Sequence, residues 1–232
     1  MQRLLSAVFS LCFLLSVSAF GMAANTFSAA SMDAAGIAAL IGSPLAAGAL
    51  LQDPPPCEDA VLRTASARVK YDCCDPQSAM DAHYKAILLA IEQAQAVCEE
   101  IGCDGIGFVS VSTTKRIFNG VCYAVSQVEY VCCCPCPTDF DANCLDIDRT
   151  PCEGQEVMTA DAEAEFKCGD VVSTIEAIKK IVSNQYELAK AKCEESGCDI
   201  LDIRGICITF QQIDDETGLA SGWLYFACCC EC

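Results

Sequence analysis

Histidine is nearly missing from this chain, with one among 232 residues, and cations are scarce, with 14 Lys and Arg against 32 Asp and Glu. One imidazole leaves no room for multi-histidine metal sites and little for acid–base catalysis. Haem attachment through C-x-x-C-H is excluded, because Asp81 and Ala82 precede His83. The net charge of −18 opposes nucleic acid, whose phosphates need a basic face. No G-x-S-x-G, H-E-x-x-H or phosphate-loop pattern occurs, and no N-x-S/T glycosylation acceptor. These absences predict a protein that is not an enzyme, carries no cofactor and binds no nucleic acid.

Cysteine is what the chain has in excess, at 21 residues. Residues 1–19 read as a secretory signal: Arg3, an apolar stretch Leu4–Val17, then the small-residue site Val17-Ser18-Ala19, with a cut after Ala23 nearly as good. Cys12 lies inside that apolar stretch and would leave with it. Twenty Cys then enter an oxidising compartment, at the density of a disulfide scaffold. Residues 20–56 form an Ala/Gly-rich leader that ends at Pro54-Pro55-Pro56. Its uncharged run Ala34–Leu51 is broken by Gly42-Ser43-Pro44. It reads as a flexible leader, as a docking segment with Ile37, Leu40, Leu45 and Leu50 as contacts, or as an uncleaved anchor. Contact with a membrane is expected only through the signal or this leader.

A shift of 95 positions lays the second part of the chain on the first. Pro56-Cys57-Glu58 falls on Pro151-Cys152-Glu153, and Cys98-Glu99-Glu100-x-Gly102-Cys103-Asp104 on Cys193-Glu194-Glu195-x-Gly197-Cys198-Asp199. One inserted residue later, Cys132-Cys133-Cys134-x-Cys136 falls on Cys228-Cys229-Cys230-x-Cys232. Units 57–137 and 138–232 are therefore expected to be tandem duplicates. Alternation over Ala65–Cys73 and Ala160–Cys168 predicts a strand in each. A helix follows, capped by Asp75-Pro76 in the first unit, with Met80, Tyr84, Ile87, Leu88, Ile91, Ala94, Cys98 and Ile101 on its apolar face. Ile175, Ile178, Val182, Tyr186, Ala189 and Cys193 repeat that face, and Gly102 and Gly197 end the two helices. A hairpin closes each unit, one through Asn119-Gly120 and one through Asp214–Gly218. The expected class is α+β: two β-α-β-β units, each a small antiparallel sheet with one helix across it.

Each unit holds ten Cys: Cys57, Cys73, Cys74, Cys98, Cys103, Cys122, Cys132, Cys133, Cys134 and Cys136, then Cys144, Cys152, Cys168, Cys193, Cys198, Cys207, Cys228, Cys229, Cys230 and Cys232. The even counts predict that each unit closes its own bridges. Strand alternation puts Cys132, Cys134 and Cys136 on one face with Val128 and Tyr130, opposite Val111 and Val109, with Cys133 on the other. Cys98 and Cys193 lie on the helices' apolar stripes, so each is expected to bridge to its unit's last strand.

His83 reads as a rim or core-edge residue. Glu99-Glu100 and Glu194-Glu195 point apart on their helices and read as solvated turns. Asp139, Asp141, Asp146 and Asp148 do not match an EF-hand loop. Trp223 and Tyr225 read as strand aromatics. Arg63, Arg68 and Lys70 mark the first strand of unit one, where unit two carries Asp161, Glu163 and Glu165. Strands of opposite outer charge can lie side by side, within a chain or head-to-tail between chains. The expected role is a secreted, stapled structural subunit of an extracellular or envelope assembly, partnered by itself or by another envelope protein. Two other classes compete: a Cys-thiolate metal or electron-transfer protein, and a monomeric secreted binding module or inhibitor.

Overall fold

The computed structural model describes residues 60–137, 140–147, 149, 155–198 and 200–229. The expected signal and leader, with Ile37, Leu40, Leu45 and Leu50, and also Cys57, Cys152, Cys230 and Cys232, lie outside the described residues. The element order is β1 Arg63–Tyr71, α1 Pro76–Glu100, β2 Ile106–Phe118, β3 Val121–Cys132, β4 Met158–Lys167, α2 Val171–Ser196, β5 Ile200–Gln212 and β6 Thr217–Cys229. The fold is α+β, with six antiparallel strands and two helices.

Local signals set the elements as expected. Asp75 caps α1 by accepting a hydrogen bond from the Gln77 N–H, with Pro76 opening the first turn. Asp170 caps α2 in the same way through the Ser173 N–H. Gly197, at φ 77°, supplies the left-handed residue that ends α2. Asn119 and Gly120, both at positive φ, make the tight turn between β2 and β3.

Two separate small sheets were expected; the strands instead make one sheet in the order β1-β3-β2-β5-β6-β4. β2 and β5 join the halves, running from Ser110↔Thr209 to Thr114↔Gly205. Both strands are buried along much of their length, so each would have left an apolar edge in water had the halves stayed apart. The two halves share their registers. Arg63↔Tyr130 on one side corresponds to Met158↔Phe226 on the other, and Ile106↔Cys132 to Leu201↔Cys228. Each hairpin carries a bulge at the corresponding place, between Phe108 and Ser110 and between Ile203 and Gly205.

The helices cover one face. α1 meets it at Thr113 through His83, and α2 at Gly222, where a Cβ would run into Ile181 and Gln185. Val111, Val128, Ile206, Ile208 and Leu224 form the buried floor beneath them. The bulge changes one expected pairing. Tyr130 stands opposite Phe108, not Val109, and Val109 turns to the other face beside Val131 and Cys134. Cys134 accordingly leaves the face of Cys132, because the strand ends there and Cys133 takes φ 60°. Ile101, expected on the apolar stripe of α1, is exposed beyond the last turn.

Candidate interaction surface

Covalent ties come first, because they decide what can move. All sixteen described cysteines are disulfide-bonded. Cys98–Cys132 and Cys193–Cys228 join each helix to the last strand of its own half. Cys73–Cys122 and Cys103–Cys133 close further loops in the first half. The expectation that each unit keeps its bridges to itself fails at Cys136–Cys168. The chain after β3 crosses to the second half there, and the Gly169 N–H donates to the Pro135 carbonyl at 3.3 Å. Such complete pairing fits an oxidising, extracellular environment. No helix among the described residues is long and apolar enough to cross a membrane.

Cys144–Cys207 pins the connection between the halves to the sheet face opposite the helices. Beside it, the Leu145 N–H donates to the Ser112 hydroxyl at 3.1 Å. The Glu129 carboxylate accepts from the Asn143 N–H at 3.0 Å and from the Ser110 hydroxyl at 2.7 Å. Ile147 is buried over Gly205. This strap explains why Ser110, Ser112 and Glu129 can be buried without loss of their hydrogen bonds.

A polar centre lies under the helices at the junction of β2 and β5. Asp202 pairs with Lys115 and with Arg204, both at 2.7 Å. His83 is fully buried, not on a rim, with Nδ1 2.6 Å from the Thr113 hydroxyl. That hydroxyl oxygen also accepts from the Ile206 N–H at 3.1 Å, which ties the pair to β5. Burial, and then the Lys115 charge, push the imidazole down to about 3. The neutral ring packs α1 against β2. The pairing of Lys115 with Asp202 has no signal in the sequence, since the partners are 87 residues apart and meet only when the two halves share a sheet.

The outermost strands carry the remaining sites. Among the described residues β1 pairs only with β3, and β4 only with β6, so these two are the edges of the described sheet. Arg68 and Lys70 are exposed on β1, with the Arg68 guanidinium 5.5 Å from the centre of the Tyr123 ring, while Arg63 is half-buried. Asp161, Glu163 and Glu165 are exposed on β4. The two charge sets are therefore held apart at opposite ends of one sheet and cannot lie side by side within one chain. Along β4 and the flank of α2 runs an open groove of about 520 Å³, lined by Asp161, Ala162, Glu163, Asn184, Glu187 and Leu188.

The other expected residues stay apart. Glu99, Glu100, Glu194 and Glu195 are exposed. Asp141 and Asp146 are described and Asp139 and Asp148 are not. Among the described residues no three His, Cys, Asp or Glu side chains converge as a metal site would require. Trp223 lies exposed on β6, and the Arg149 guanidinium sits 5.4 Å from the centre of the Tyr225 ring. Compared with protein-family models, curated proteins and solved structures, the chain matches none.

Proposed function

We propose that this protein is an exported, non-catalytic structural subunit that joins copies of itself head-to-tail into an extracellular or envelope assembly. In this reading its two halves are tandem duplicates. The matched registers, the paired bulges and the equivalent Cys98–Cys132 and Cys193–Cys228 bridges support that origin. Export is supported by the signal-like N-terminus and by the oxidised cysteines.

The observation that carries the proposal is the charge contrast between the sheet's two edges, basic on β1 and acidic on β4. Two open edges are sticky, and like edges charged alike repel. Here each edge rejects its own kind and attracts the other, which favours a repeating β4-to-β1 contact. A contact of that kind does not use itself up, so it propagates. Light scattering and electron microscopy of the secreted protein test this: a ladder of growing oligomers is expected. Reversing Arg68 and Lys70 together to Glu should weaken association at least about tenfold. A protein that stays monomeric at all concentrations overturns the proposal.

A further inference from the structure

We infer that the copies join by continuing the sheet, β4 of one lying antiparallel to β1 of the next in a single register that sets Arg68 opposite Glu163 and Lys70 opposite Asp161. This rests on the head-to-tail reading above and specifies its contact. Strand direction alternates at every step of β1-β3-β2-β5-β6-β4. β4 therefore runs opposite to the β1 of a neighbour placed beside it in the same orientation, as an antiparallel ladder needs. The faces agree as well. Lys70 and Arg68 share a sheet face with Tyr123 and Val125, and Asp161 and Glu163 share that same face with Trp223 and Ser221, away from the helices.

Sequence then selects the register. With Arg68 opposite Glu163, Lys70 meets Asp161, Ser66 meets Glu165 and Thr64 meets Lys167, with no like charges opposed. On the helix face the same alignment sets Tyr71, Val69, Ala67 and Ala65 against Ala160, Ala162, Ala164 and Phe166, apolar throughout. It also uses nearly the full length of both strands. Sliding two residues one way keeps two ion pairs, Arg68 with Glu165 and Lys70 with Glu163, but sets Asp72, just beyond β1, against Asp161 and Ala65 against the bridged Cys168. Sliding two residues the other way leaves one ion pair and sets Lys70 against Thr159, whose carbonyl already accepts from Lys192 at 2.8 Å. The favoured register brings Val69 of the incoming copy, half-buried in the single chain, to the groove beside Ala162. There Leu188, 48% exposed, gains a cover.

The test is charge exchange in the full secreted chain, read by sedimentation across a concentration series, with thermal melting to verify that each variant folds. R68E should weaken association about tenfold, and adding E163R to it should restore affinity to near that of the original protein. Adding E165R to R68E should restore nothing, because residue 165 faces Ser66. Rescue by E165R, or by neither change, overturns the register while head-to-tail association stands. Association unaffected by R68E overturns both.

Discussion

His83 shows what a single residue contributes and when. Its neutral ring is held between Thr113, Lys115 and the Tyr71 ring, whose centre lies 5.9 Å away. The folded imidazole takes up a proton only near pH 3, whereas the unfolded one does so near the ordinary value of 6.5. Between those two values the unfolded state binds more protons, so stability falls as pH falls through that window. The slope is about 1.4 kcal/mol per pH unit. His83→Leu should flatten that part of the profile, measured by urea unfolding at pH 7, 5.5 and 4.5 with the bridges intact. An unchanged slope would mean that the ring is reached by water. That this histidine lies on α1 next to the apolar face was readable from helical periodicity. Its depth was not. Helical periodicity puts it beside Tyr84, but full burial depends on α1 reaching over Thr113 to β5, which no local pattern specifies.

At the scale of elements, helix and strand are locked by bridges that the stripe positions announce. Cys98 lies on the buried face of α1 and meets Cys132 at the end of β3, closing a span of 34 residues. In the chain-entropy account such a bridge contributes about 4 kcal/mol. Replacing both Cys98 and Cys132 by Ser should lower stability by roughly 3–4 kcal/mol and the melting temperature by about 10 °C. Differential scanning calorimetry checks this, and the Cys193–Cys228 pair should behave alike. The strand and helix patterns, the Asp75 cap of α1 and both hairpins were legible because each depends on neighbours in sequence. Cys74, Cys122, Cys144 and Cys207 are the positions that the 95-residue shift leaves unmatched. Cys144–Cys207 has its reason in the strap across the far face of the sheet, an arrangement without a local sequence signature.

In the whole molecule, the β2–β5 junction, the Lys115–Asp202 pair and the Cys136–Cys168 bridge bind the halves into one cooperative body. Unfolding by urea should therefore be a single transition. Fluorescence of Trp223, the only tryptophan and a residue of the second half, should coincide with far-UV circular dichroism, which sees both halves. Two separated transitions would mean that the halves fold independently. The amino-acid sequence by itself determined the elements within each half, the dense oxidisable cysteines and the contrast in charge between the strands that β1 and β4 become. Those features are local. Only the tertiary structure decided that the halves share a sheet and that one disulfide crosses between them. It also decided that the contrasting strands become the sheet's two outer edges. The physical reason is that β2 and β5 each left a buried-type edge that had to be paired. Pairing them with each other at the centre leaves β1 and β4 as the outer strands among the described residues, which gives the charges of Arg68 and Glu163 an outward meaning.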